Sequence, residues 1–240
     1  MYNLLAVFLM FMIYSVIGYV AEITFCSIKT KKLIWNRGFL IGPYLPIYGT
    51  GAIAIVSTLG RYRDDFIALF VMSMFYCLLI EYFTSYIMEK IFHLRWWDYS
   101  DKKYNINGRV CLTNGVLFGI GGLVIVRIIN PIIHSFVYNL SPMILYIVSS
   151  TLLVIYLSDT IVSFRIVFAL KNNIKKIADK DATNQIKKEV TNFLKNYNVL
   201  TNRLLKSFPY LSEYNGKRFE KFLAVFSSVR NEIKKLRHKK

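Results

Sequence analysis

Five long apolar stretches constrain this chain more than any other feature. They cover roughly residues 4–25, 39–59, 66–90, 111–133 and 143–168. Each is about the 20 residues needed to cross the hydrocarbon core of a bilayer as a helix. Only 19% of residues are charged and 55% are hydrophobic, which excludes a disordered chain and sets the protein apart from soluble enzymes. The sequence predicts an all-α, polytopic membrane helix bundle of about five spans over residues 1–170. A second region, 171–240, has a different composition. No Lys or Arg precedes the first apolar run, so that run reads as a retained span and not as a cleaved leader.

Loop charge sets orientation. Lys29, Lys31, Lys32 and Arg37 follow the first stretch, and Lys90, Arg95, Lys102, Lys103 and Arg109 follow the third. The other side holds only Arg61, Arg63 and, nearby, Arg127. The richer side is the cytoplasmic one, which places the N-terminus outside and the C-terminal tail in the cytoplasm of a multi-pass plasma-membrane protein. A second stretch that dips in and returns would flip the later loops, and the charge pattern argues against it.

Ionisable groups inside a bilayer are costly, so each is a candidate for function. At about 100 degrees per residue, Ser15, Gly18 and Glu22 share one face of the first helix. In the third, Glu81 and Glu89 share an arc with Thr84 and Ser85. Two polar stripes invite packing against each other or around a wet cavity. Glu22 and Glu89 fall near helix ends, where solvent or a loop cation such as Arg37 or Arg109 is an equally good partner. Glu81 is deeper and harder to explain as a surface group. Asp159 in the fifth span reads as a structural partner of Arg165.

The second stretch opens at Asn36 and holds Pro43, Pro46 and four glycines, Gly38, Gly42, Gly49 and Gly51, within 16 residues. Proline removes an amide donor and clashes with the preceding turn, so this segment cannot be a regular helix. Irregular backbone at membrane depth survives only inside protein or beside water. It is either a buried kink for close packing or a discontinuous helix of the kind that builds substrate and ion sites. The loop Trp96-Trp97-Asp98-Tyr99-Ser100, followed by Asn105, Gly108 and Arg109, combines an interfacial anchor with the look of a folded cap over the cytoplasmic mouth. Gly115 and Gly119 suit tight helix contact.

These segments together resemble a known family. The matching pieces are Tyr14-Ser15-x-x-Gly18-x-x-x-Glu22, then Asn36-Arg37-Gly38-Phe39-Leu40-x-Gly42-Pro43-x-x-Pro46-x-Tyr48-Gly49-x-Gly51, then Glu81-Tyr82-x-Thr84-Ser85-x-x-x-Glu89, Trp96-Trp97-Asp98-Tyr99-Ser100 and Asn105-x-x-Gly108-Arg109. The chain resembles bacterial membrane proteins, mainly of Gram-positive organisms, named as ABC-transporter permeases of type IV. The resemblance covers about residues 5–130 well and does not include the tail. It implies solute transport. The expected site is a polar cavity between spans 1 to 3, built from Glu22, Arg37, Gly42, Pro43, Pro46, Tyr48, Glu81, Ser85, Glu89, Trp97, Asp98, Asn105 and Arg109. Arg37 and Arg109 would balance charge at the mouth.

The tail, residues 171–240, carries 18 Lys/Arg against 6 Asp/Glu. Ile186, Val190, Phe193, Tyr197, Leu200 and Leu204 form one heptad seam, and Phe222, Phe226, Val229, Ile233 and Leu236 another. A cytoplasmic helical hairpin follows, packed on itself, on a second copy or on a helical partner. Its charge reads either as a solvated basic face or as attraction to the anionic inner leaflet, where each Lys or Arg contributes about 1 kcal/mol, in preference to nucleic acid, for which no motif is present. Cys26, Cys77 and Cys111 and three scattered histidines offer neither a disulfide framework nor a metal-ligand pair, and no cofactor is expected. No G-x-x-x-x-G-K-[ST] loop occurs, so ATP-driven transport would require a separate ATPase subunit. The expectation is a permease and not an enzyme. The rival readings are an enzyme acting on lipid or lipid-linked substrates at the inner leaflet, and a scaffold or sensor working through its tail.

Overall fold

A computed structural model describes residues 2–31, 33, 35, 38–92 and 95–179. The expected tail hairpin and Arg37 lie outside the described residues. The order of elements is α1 (Tyr2–Thr30), α2 (Pro46–Leu59), a 3-10 turn (Gly60–Tyr62), α3 (Phe66–Phe92), the strand pair β1 (Asn105–Ile106) and β2 (Val110–Cys111), α4 (Leu112–Val124), a π turn (Ile125–Ile129), α5 (Asn130–Tyr138) and α6 (Pro142–Asp179). The strands pair antiparallel, Asn105 with Cys111 and Ile106 with Val110.

Among the described residues, four helical segments are long and apolar enough to cross a membrane: Leu4–Ile28, Phe66–Phe92, Leu112–Tyr138 and Pro142–Ala169. The fifth expected stretch, 39–59, is different. Its helix α2 has 14 residues, about 21 Å of rise, and residues 38–45 before it are non-helical. Pro43 and Pro46 impose this, and Pro46 opens α2 at the position where its missing amide is harmless.

The chain divides into two compact units. The first comprises Met1–Ile87 with Asp98–Thr160, and the second Met88–Trp97 with the chain from Ile161 onward. Within the first unit the contacts fix the helix directions. Leu45 N donates to Ser15 O at 2.9 Å, so α2 starts level with the middle of α1. A Cβ on Gly49 would lie 2.2 Å from Ser15 Oγ and 2.7 Å from Phe11 O. Ala52 packs with Ala6, Leu9 and Met10. Thus α2 runs antiparallel to α1. Leu69 packs with Ile55 and Leu59, which turns α3 back the other way. Gly115, Gly119 and Gly122 meet Leu78, Phe70 and Ser73 of α3, and Ile133 and Val137 reach Ala6 and Leu9, so α4–α5 descend again. Ser149 Oγ donates to Leu5 O at 3.2 Å, and Tyr156 packs on Phe8 and Phe11, which makes α6 parallel to α1. The path makes five passes with four reversals, the second pass half irregular and half helix.

The packing is that of helices in lipid. Phe75, Phe83, Ile128, Ile132 and Val154 face outward, while Ser15, Ser73 and Ser149 are fully buried. Lipid gives no hydrophobic drive between helices, so small residues that let backbones approach form the seams. The π turn has a local cause. Pro131 cannot donate to the carbonyl four residues back, that of Arg127, and its ring would clash there; the widened turn relieves this, with Asn130 N bonded to Ile125 O. The turn sets Arg127 3.7 Å over the Phe66 ring, with Nη1 donating to Arg63 O.

In the second unit, Phe92 is buried among Trp96, Phe164 and Phe168, with ring centroids 6.0, 5.4 and 5.2 Å away. Glu89 pairs there with Arg95 at 4.0 Å.

Two adjacent glycines test the seam. A Cβ on Gly122 would lie 2.2 Å from Ser73 Oγ and 2.3 Å from Ser73 Cβ, whereas one on Gly121 meets nothing within 4 Å. Gly122→Ala is expected to destabilise by about 1–3 kcal/mol through overpacking. Gly121→Ala is expected to be neutral or stabilising by up to about 1 kcal/mol through lower chain entropy. Thermal unfolding in detergent, followed by monodispersity, checks both.

Candidate functional site

The break before α2 leaves amides without helical acceptors, and at this depth water does not supply them. Asp159 of α6 does. Its Oδ1 accepts from Ile41 N at 2.9 Å, and its Oδ2 accepts from Gly42 N at 2.7 Å and from Tyr44 Oη at 2.6 Å. Sequence reasoning gave Asp159 to Arg165; the geometry gives its carboxylate to residues 41–44. Tyr44 then packs with Met12 and Leu40 in a small core. Gly42 and Pro43 are thus the broken backbone itself, and Pro46 the first residue of the helix that follows.

One turn into α2, Tyr48 lies across α1. A Cβ on Gly18 would fall 2.3 Å from Tyr48 Cβ, so only glycine allows this approach. The Tyr48 hydroxyl donates to Glu22 Oε2 at 2.8 Å, and Cys26 Sγ lies 3.4 Å from Glu22 Oε1. The Ser15–Gly18–Glu22 face of α1 is therefore the face that receives the broken segment.

Glu81 is buried, 7% exposed, in the middle of α3. Its Oε1 accepts from Tyr99 Oη at 3.1 Å. Asn114, at the start of α4, faces both Glu81 and Tyr99, and the Glu22 carboxylate is close enough to act electrostatically on Glu81. Tyr48 in turn feels Glu22, Tyr99 and Glu81. Two carboxylates and two phenols from four elements make one polar cluster. Tyr99 lies in the loop outside the spans; burial pushes its phenol well above the ordinary value, with the Glu81 carboxylate adding to the shift. It therefore stays a hydrogen-bond donor across the accessible pH range.

The loop is built to hold Tyr99. Asp98 Oδ1 accepts from Ser100 N at 2.9 Å and Ser100 Oγ at 2.6 Å. Asn105 Nδ2 donates to Lys102 O at 2.8 Å, and its Oδ1 accepts from Gly108 N at 2.9 Å. Tyr99 N donates to Gly108 O at 2.7 Å. Gly108, Tyr104 and Asn107 take positive φ, the turn conformation that Gly and Asn accept most readily. Arg109 ties this loop to α3, donating from Nη1 to Ser85 Oγ at 3.1 Å and lying 5.8 and 5.5 Å from the Tyr82 and Tyr86 ring centroids. Asn107 adds a bond to Tyr82 Oη at 3.0 Å.

The structure thus brings together Glu22, Tyr48 and Glu81, with Ser85, Asp98, Asn105 and Arg109 supporting the loop beside them. Gly42, Pro43 and Pro46 shape the neighbouring break. Glu89 and Trp97 belong to the second unit, where Glu89 has Arg95 as its ion-pair partner. Arg37 lies outside the described residues. Sequence reasoning did not select Tyr99, Asn114, Tyr44 or Asp159 for the site. Tyr99 sat inside the noted aromatic motif and Asp159 was the one acidic residue of its span, so both carried a signal.

The fold and the buried polar cluster define a polytopic helical membrane protein. A family model described as "Putative ABC-transporter type IV" matches residues 9–164, and the chain belongs to that family. No curated protein and no solved structure matches the chain.

Asp159→Ala is expected to lower stability by at least about 2 kcal/mol, because two amides and a hydroxyl lose their acceptor at about 1–3 kcal/mol for each buried group left unsatisfied. Tyr48→Phe, which deletes a single hydrogen bond, is expected to cost about 1 kcal/mol. Equal melting temperatures for Asp159→Ala and the parent protein in detergent would show that residues 41–44 are held by something else.

Proposed function

We propose that the protein is a permease that moves a small solute or ion through the polar cluster of α1, the 38–59 pass, α3 and the loop that bears Tyr99. The observation that carries this reading is Glu81, a carboxyl buried in the middle of a membrane-length helix beside a second carboxyl and the pass that opens with a broken backbone. Such charge has no packing benefit that an apolar residue would not exceed, and ionisable groups within spans mark ion and substrate paths. Discontinuous helices at mid-depth are the usual place for such sites. Glu81 and Glu22 are the groups that respond to the transported ion, and Tyr48 and Tyr99 fix their orientation.

The chain acts as a transporter and not as an enzyme in this reading. It resides in the plasma membrane with its basic tail on the cytoplasmic side, because the loops after the first and third passes carry most of the basic residues. The family name and the absence of a phosphate-binding loop together point to a separate ATPase subunit as partner where transport is ATP-driven.

Glu81→Gln keeps the shape of the side chain and removes its charge. It is expected to reduce flux of protons or of a rubidium tracer in proteoliposomes by about tenfold or more, the effect of losing about 1.4 kcal/mol of ion interaction, while the protein still inserts and stays monodisperse. Unchanged flux in that variant would remove Glu81 from the mechanism.

A further inference from the structure

Glu81 Oε2 is the atom that the fold leaves unexplained. It is closed off from solvent and takes no hydrogen bond of ordinary geometry among the described residues, although the Asn114 side chain is directed at the same carboxyl; Oε1 is held by Tyr99. The groups that face it are Tyr99 from the loop, Asn114 from α4, Glu22 from α1 and Tyr48 from α2, with Cys77 one turn earlier on α3. None of these is a cation. Arg109, the basic residue of the loop nearest in sequence to Asn114, is directed to Ser85 and the Tyr82 and Tyr86 rings. A carboxylate oxygen enclosed this way costs several kcal/mol unless a positive charge accompanies it.

The donors available are hard oxygens: carboxylate, phenol and amide. Among the described residues no group of three or more His, Cys, Asp and Glu could hold a metal ion, which argues against a divalent ion with its several carboxylate ligands. One unit of positive charge matches one unpartnered carboxylate oxygen.

We infer that Glu81, with Glu22 beside it, binds a single exchangeable monovalent cation, either a proton or an alkali ion. Its role as the transported or coupling ion rests on the permease reading above; the binding does not. Tyr99 holds one edge of the Glu81 carboxylate and leaves Oε2 to the ion, while the Glu22 carboxylate, held by Tyr48 and Cys26, adds its charge. Loading and release then require movement of the Tyr99 loop, whose ties to α3 run through Arg109 and Asn107.

The test labels the full-length protein, in vesicles of phosphatidylglycerol and phosphatidylethanolamine, with a lipid-soluble carbodiimide. The reagent adds to a protonated carboxyl and is blocked when an alkali ion holds the carboxylate. The adduct is mapped by peptide mass spectrometry. Glu81 is expected to be modified in preference to Glu89, which already has Arg95 as partner. Sodium or potassium chloride, against choline chloride at fixed pH, is expected to slow the modification about tenfold at about ten times the dissociation constant if the ion is an alkali metal. Slowing by rising pH alone, with labelling that persists to higher pH at Glu81 than at Glu89, identifies the proton; a Glu81 profile that coincides with that of Glu89 overturns it. Absence of labelling at Glu81, or labelling that neither pH nor alkali ions alter, overturns the inference. Glu22→Gln is expected to shift the protection midpoint several-fold, and an unchanged midpoint removes Glu22 from the site. Protection without flux would leave this inference standing and overturn the permease reading; flux without protection would do the reverse.

Discussion

A backbone broken inside a lipid layer has to find hydrogen-bond partners within the protein, and the carboxylate of Asp159 provides them. It holds Ile41 N, Gly42 N and the Tyr44 hydroxyl at 2.9, 2.7 and 2.6 Å. Without it the 38–45 segment would expose polar groups to a medium that cannot satisfy them. With it, α2 begins against the middle of α1, Leu45 bonded to Ser15, and Tyr48 arrives one turn later at Glu22. The position of the polar cluster is thus inherited from one carboxylate on the last long helix.

The rest of the packing allows such a cluster to persist. Long apolar side chains cover the outside, while glycine and serine line the helix contacts. Close backbone approach gains dispersion energy that does not depend on water. It also leaves little freedom for the groups enclosed. Tyr99 is an instance: Asp98 and Asn105 knot its loop, Arg109 and Asn107 fasten that loop to α3, and the phenol ends on Glu81. The carboxyl is thus held on one edge, and its other oxygen is closed off from solvent.

Much of the architecture was legible along the chain because its causes are local. Apolar length sets the spans, and Pro43 and Pro46 break the second one whatever surrounds them. The spacing of Ser15, Gly18 and Glu22 names a helix face by periodicity alone, and that face meets the broken segment. Glu81 could be singled out because its depth follows from its place in the third stretch. Only the tertiary structure decided how these pieces meet. It sends Asp159 across about 117 residues of chain to the amides of 41 and 42 and brings Tyr99 and Asn114 onto Glu81. It joins Glu22 to Glu81, while Glu89 has Arg95 as its partner. Helical periodicity assigns a residue to a face, but the choice of partner for that face is a long-range packing outcome that no local pattern encodes.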